Sequence, residues 1–175
     1  GCRVNLWGVG TNLVTGKDQG ALDGIYKLSA VKDKKGKWQY KLKTSETMAK
    51  VTTPGISQVR RYFSDQGNMA DMLYDQHLKI GEPPTIIDFS DAALAKEVKP
   101  QWKWRDLLVP MLRRGKNVYQ QPTLEQMRAN TKEELSRFSS RMRRFLNPQP
   151  YFSGMEKNLY QFKLQMIDNI QREFD

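Results

Sequence analysis

Two-residue alternation of apolar and polar positions dominates residues 25–121, and a three-to-four-residue spacing dominates residues 122–175. The first period is that of half-buried strands and the second that of amphipathic helices. Ahead of both, Val4 to Trp7 is a short continuous apolar run, the pattern of a buried strand in a parallel sheet. It runs into the turn Gly8-Val9-Gly10-Thr11 and then a polar stretch, Thr15 to Gly24, punctuated by glycines. Ile25 to Val31 and the return run Trp38, Tyr40, Leu42 predict a hairpin closed at Lys34-Lys35-Gly36. Thr53-Pro54-Gly55 signals a turn. Gln58 to Phe63 and Met69 to Tyr74 predict a second hairpin, joined at Gln66-Gly67-Asn68. Thr85 to Phe89 predicts a short strand, and Asp91 to Lys99 a short helix or a loop. Arg105 to Leu112 reads as a strand that Pro110 moves to a sheet edge, followed by a turn over Arg113 to Lys116 into Val118-Tyr119.

Thr123 with Gln126 forms a capping box for a first helix, whose apolar stripe runs Leu124, Met127, Thr131, Leu135, Phe138, Met142, Phe145 and stops at Asn147-Pro148. Ser153 with Glu156 predicts a second box, opening a helix striped by Met155, Leu159, Phe162, Met166, Ile170 and Phe174. The pattern therefore predicts an α+β chain: a strand with a glycine turn, an antiparallel meander of about six strands, then two helices.

Composition sets outer limits. With 175 residues, 38% of them hydrophobic, the chain is long enough to bury a core, and no run of 18 apolar residues reads as a membrane span. The first residues lack the pattern of a secretion signal. Cys2 is the single cysteine, so an internal disulfide and a cysteine-rich zinc site are excluded and a reducing, cytoplasmic setting is the expectation. The first residue is Gly, and the chain opens on a buried-type strand with no neighbours of its own, which predicts a piece of a longer protein. A net charge of +10 fits nucleic-acid binding, attraction of anionic small molecules, or balance by charge elsewhere in a larger protein.

Candidate chemistry is sparse. A Gly-x-Gly-Thr turn after a strand lets backbone N–H groups approach an anion, and the same pattern also occurs as a plain tight turn. Lys32, Lys34, Lys35 and Lys37 crowd the first hairpin tip without an interleaved aromatic, as a solvated tip does. Arg137, Arg141, Arg143 and Arg144 near the end of the first helix complement its dipole or meet a phosphate-rich partner. His77, the only histidine, sits in a loop beside Asp75, and Asp71, Asp75, Asp88 and Asp91 are scattered over turns and strand ends. Neither a nucleophile–His–Asp set nor a metal-ligand spacing is present.

The residues carry one further signal. Val4 to Thr15, Ala21-Leu22-Asp23-Gly24-Ile25-Tyr26-Lys27-Leu28, Ser45-Glu46, Lys50-Val51-Thr52, Pro54-Gly55, Gln58-Val59, Leu107 to Tyr119 and Asn147 to Tyr151 together resemble the C-terminal part of nicotinate phosphoribosyltransferase. Asp23 departs from a usual glycine, and Asn5 from a commonly acidic position. The resemblance implies a type II phosphoribosyltransferase. Such an enzyme has an irregular α/β barrel and a second domain, rich in antiparallel strands, packed across a partner's barrel in a homodimer. It joins nicotinate to phosphoribosyl pyrophosphate in NAD biosynthesis, driven by ATP through a phosphorylated histidine, with Mg2+. On this reading residues 1–24 end the barrel, 25–121 belong to the second domain and 122–175 form a C-terminal helical segment. Gly10 and Thr11 would give backbone N–H groups to the ribose 5′-phosphate, and Gly8 would permit the turn, at the strand-end position usual for barrel phosphate sites. The histidine and the nicotinate-binding arginine lie upstream in the family. The resemblance thus implies a piece that binds neither Mg2+ nor ATP alone, does not catalyse alone, and takes small molecules rather than nucleic acid or membrane. The rival expectation is a basic nucleic-acid-binding or structural interaction module.

Overall fold

The computed structural model describes residues 5–10, 24–45 and 50–172. A small hairpin, β1 (Ala30–Lys32) and β2 (Trp38–Tyr40), precedes the main sheet. Its turn is built by Asp33, whose carboxylate accepts the amides of Lys35 and Lys37 at 2.9 and 2.8 Å, with Gly36 at φ +81°. The main sheet has six strands. These are β3 (Ser57–Ser64), β4 (Gly67–Asp75), β5 (Thr85–Asp88), β6 (Ala95–Glu97), β7 (Lys103–Asp106) and, from far along the chain, β10 (Ser153–Glu156). Their spatial order is β6-β5-β10-β4-β3-β7. A separate two-residue hairpin, β8 (Leu112–Arg113) and β9 (Lys116–Asn117), turns through Arg114 and Gly115, both at positive φ, the geometry that matches strand twist. Two helices complete the fold, α1 (Leu124–Ser136) and α2 (Lys157–Arg172), and α2 lies against β10 and β5.

Burial alternates along β4, where Asn68, Ala70, Met72 and Tyr74 point inward. With Tyr62, Ile86 and Val98 the last three form the core, against which Ile80, Trp102 and Phe152 pack. Both central hairpins match the sequence expectation, although β1 and β2 are only three residues each.

Several elements differ from the expected ones. Ser153 to Glu156 is a strand rather than a capping box: β10 runs parallel to β4 and antiparallel to β5, so the sheet is mixed and residues 122–175 are not purely helical. Glu156, 1% exposed, still caps α2 by accepting the Leu159 amide at 3.0 Å, and its other oxygen accepts the Gly81 amide at 3.1 Å. The first helix stops at Ser136, not at Phe145. The Arg137 carbonyl accepts the Asn68 amide at 2.8 Å, and Gly67 presses so closely on that carbonyl that a Cβ would collide with it. Beyond it, Ser139 takes the amides of Met142 and Arg143 in local turns. Asp91 to Lys99 holds the edge strand β6 after a turn closed by Leu94 N–H on the Asp91 carbonyl. The strand expected over Arg105 to Leu112 leaves the sheet after Asp106. There the Gln58 side chain, bonded to both the N–H and the carbonyl of Leu108, replaces the ladder. Asn5 to Trp7 form no strand and are exposed, for among the described residues no strand lies beside them, while Val4 falls outside the described residues.

The β7 edge is held by side chains. Arg60 forms a two-bond pair with Asp106 (2.8 and 3.0 Å), Tyr74 donates to the same carboxylate at 3.0 Å, and the guanidinium lies 3.6 Å from the Trp104 ring centre. The Arg60 contact holds the Asp106 carboxyl below its ordinary pKa.

Two outcomes follow. Gly154 in β10 sits where a Cβ would collide with the Ile87 carbonyl, so Gly154→Val should cost about 2–3 kcal/mol in urea unfolding by overpacking. Because the Asp106 carboxyl has a lower pKa folded than unfolded, its stabilisation is present above the unfolded value and is lost as pH falls through the folded one. Asp106→Asn should therefore cost about 1 kcal/mol at neutral pH, and the gap to the parent should close as pH drops below about 4.

Candidate functional site

The glycine turn is the site that sequence reasoning singles out. Gly8 and Gly10 lie in an irregular, exposed stretch, and a Cβ added at either would meet nothing within 4 Å. No described neighbour therefore demands glycine there, and the open backbone suits approach by another group. Thr11 lies outside the described residues. The same stretch and the one after Gly24 expose large apolar side chains: Leu6, Trp7 and Val9, then Ile25, Tyr26 and Leu28.

The side chains capable of proton chemistry are held in other work. Arg61 makes a two-bond pair with Asp71 at 2.8 and 2.7 Å, and Tyr151 donates to the same carboxylate at 3.0 Å. Glu134 of α1 pairs with Arg61 at 3.4 Å and with Arg105, tying the helix to β3 and β7. The Asp71 contact raises the Arg61 pKa, and burial followed by the Asp71 charge raises that of the Tyr151 hydroxyl. Arg61 therefore stays cationic and Tyr151 neutral across the physiological range, as members of structural pairs do.

A second cluster centres on Asp75, 1% exposed at the end of β4. Its Oδ1 accepts the Tyr40 hydroxyl (2.6 Å) and the amides of His77 (2.8 Å) and Leu78 (2.9 Å), and its Oδ2 accepts the Ile56 amide (2.5 Å). Burial, then the bond to Asp75, pushes the Tyr40 pKa up. His77 itself is exposed, contributing its backbone amide here and a ring 6.3 Å from that of Trp38. Among the described residues no three His, Cys, Asp or Glu side chains gather as metal ligands.

The basic patches are placed as follows. Lys34, Lys35 and Lys37 are exposed at the β1–β2 tip, and Lys32 lies 5.4 Å from the Trp38 ring centre, so an aromatic does accompany this tip. Arg137 caps α1 and pairs with Glu133 at 2.6 Å, whereas Arg141, Arg143 and Arg144 lie beyond the helix in exposed turns.

Sequence reasoning passed over Arg60, Arg61, Tyr74 and Asp106, and read Asp71 only as one of several scattered carboxylates. Antiparallel register could have paired Arg60 or Arg61 with Asp71, but a bulge between Tyr62 and Phe63 shifts it. Counting back from the turn pair Ser64–Gly67 sets Arg60 opposite Asp71, whereas the bulge sets Arg61 there.

Known proteins match this chain over its length. Residues 56–163, which include the sheet, α1 and the start of α2, match the family model for the nicotinate phosphoribosyltransferase C-terminal domain. The chain is 27% identical over 179 residues to the nicotinate phosphoribosyltransferase of Bacillus subtilis (strain 168), covering 100% of this chain and 36% of that protein. It is 30% identical over 174 residues to the nicotinate phosphoribosyltransferase of Caenorhabditis elegans, covering 91% of this chain and 28% of that one. In fold it is similar to the crystal structure of human nicotinic acid phosphoribosyltransferase, with TM-score 0.57 and 24% identity over 66% of this chain and 24% of that chain. The chain thus spans 36% and 28% of the lengths of those two relatives. A strand-rich domain whose charged residues brace its own sheet, the chain belongs to the nicotinate phosphoribosyltransferase family, and its residues 56–163 match that family's C-terminal domain.

Proposed function

We propose that this chain completes a phosphoribosyltransferase that joins nicotinate to phosphoribosyl pyrophosphate, giving nicotinate mononucleotide and pyrophosphate with ATP hydrolysis. The observation that carries the reading is the family match over residues 56–163. In this reading Gly8, Gly10 and Thr11 hold the 5′-phosphate of the ribosyl group. Backbone N–H groups in an open turn supply hydrogen bonds to a dianion at fixed positions, and the absence of Cβ atoms at Gly8 and Gly10 admits it closely. The net charge of +10 favours the approach of anionic substrates. Mg2+ is implied by the reaction, and in this reading residues elsewhere in the enzyme hold it with the substrate phosphates. The exposed apolar residues of the glycine turn and of residues 25–28 are where the rest of a homodimeric, cytoplasmic enzyme would be met.

The assay is direct. Given nicotinate, phosphoribosyl pyrophosphate, ATP and Mg2+, the whole protein containing this chain forms nicotinate mononucleotide and the chain alone forms none. In the whole protein Gly10→Val raises KM for phosphoribosyl pyrophosphate about tenfold or more. Product from the chain alone, or an unchanged KM, overturns the reading.

A further inference from the structure

From Leu108 to Glu133 every residue except Tyr119 and Pro122 is exposed. The stretch is nevertheless regular. It holds the hairpin β8–β9, whose strands form a sheet of their own apart from the main one, and most of α1, which has no buried residue. Neither element is stable in water by itself: a helix of 13 residues is marginal unless an apolar face packs on something, and so is a lone two-stranded hairpin. The ties described above lie at the C-terminal end of α1, where Glu134 pairs with Arg61 and Arg105 and the Arg137 carbonyl accepts the Asn68 amide. Ahead of that end, α1 shows Leu124 and Met127 to solvent. The segment leading into the hairpin shows Leu108, Val109, Met111 and Leu112, and exposure over the six runs from 38% for Met127 to 69% for Leu112.

A cleft of about 880 Å3 lies between the hairpin and the helix. Met111 and Met127 line it, the carboxamides of Gln121 and Asn130 stand beside them, and every lining residue is uncharged. Carboxamides donate and accept as peptide groups do, and thioether side chains adapt to varied apolar shapes. That chemistry fits a protein segment. A nucleic-acid backbone calls for cations, and Arg113, Arg114 and Arg128 of the same stretch do not line the cleft. Length points to which protein segment. This chain spans 36% and 28% of its two relatives above, and what it matches is the family's C-terminal domain, so most of a relative's polypeptide precedes it. A covalently joined neighbour meets such a face at an effective concentration on the order of millimolar, ahead of free partners.

We propose that residues 108–131 form a docking surface for the part of the polypeptide that precedes this chain in the whole protein, with a segment of that part seated in the cleft between Met111 and Met127. This contact is independent of the reaction proposed above.

Two measurements on the whole protein test it. The photo-crosslinking residue p-benzoylphenylalanine is placed at position 112 or 124, and the cross-linked peptides are mapped by mass spectrometry. The expected cross-links fall on residues that precede Gly1. Cross-links confined to residues 1–175 of the same or another copy, cross-links to nucleic acid, or none from either position overturn the proposal. In the second, Leu124→Glu and Met127→Glu are combined and hydrogen exchange is followed in α1 against β3 and β4. Glu forms helix about as well as Leu and Met, and in the first turn it complements the helix dipole. On a solvated helix the pair of substitutions therefore leaves exchange in α1 unchanged or slower. The expected result is exchange in α1 about tenfold faster, with β3 and β4 unchanged. Unchanged or slower exchange in α1, or equal acceleration in β3 and β4, overturns the docking.

Discussion

Ser153–Glu156 joins two ladders of the main sheet. On one side stand β4, β3 and β7, on the other β5 and β6, and among the described residues β10 is the only strand paired with both. Its room is set by close approach of backbones. Gly154 lies against the Ile87 carbonyl, so any larger residue would push the sheet apart at its centre. The rest follows from this insertion. Met155 is buried between β4 and β5, Glu156 bridges the Gly81 turn to the first turn of α2, and α2 is set down on β10 and β5 by starting one residue later.

Charged residues do the bracing that a larger apolar core would otherwise do. Arg61, Asp71, Glu134, Arg105 and Tyr151 link β3, β4, β7, α1 and the segment entering β10 through half-buried pairs. Arg60, Asp106, Tyr74 and Trp104 fix the β7 edge. Pairs of this kind add little when fully exposed, and more where burial limits solvent screening and two parallel bonds fix the geometry. The net charge of +10 already counts these carboxylates, so the cationic excess lies on side chains other than the paired guanidiniums of Arg60, Arg61, Arg105 and Arg137.

Local pattern was enough for the two hairpins, for β5, and for the start of α1, because turn chemistry and alternation are local: Gly67, Asp33 and the Thr123–Gln126 box each act within a few residues. It was not enough for β10. Ser153 and Glu156 carry the letters of a capping box, and nothing within four residues tells a strand from a helix start; the deciding partners, Asp71 to Leu73 and Ile86 to Asp88, lie far back in the chain. The end of α1 is likewise set from outside, by Asn68 and Gly67 on the Arg137 carbonyl, while the apolar spacing continues past it. At the candidate site, motif resemblance pointed to the glycine turn, whereas the Asp75 cluster depends on contacts 19 and 35 residues apart that no period announces.

The late position of β10 also imposes an order of events. Synthesis delivers β4 and β5 long before Ser153–Glu156, so for most of the time the chain spends emerging, each of those strands carries an unpaired hydrogen-bonding edge. The sheet closes only when the segment after α1 comes back to fill the gap, a long-range pairing of the slow kind. A nascent chain halted before residue 153 would hold two open half-sheets with edges complementary to any passing strand, including those of its own copies.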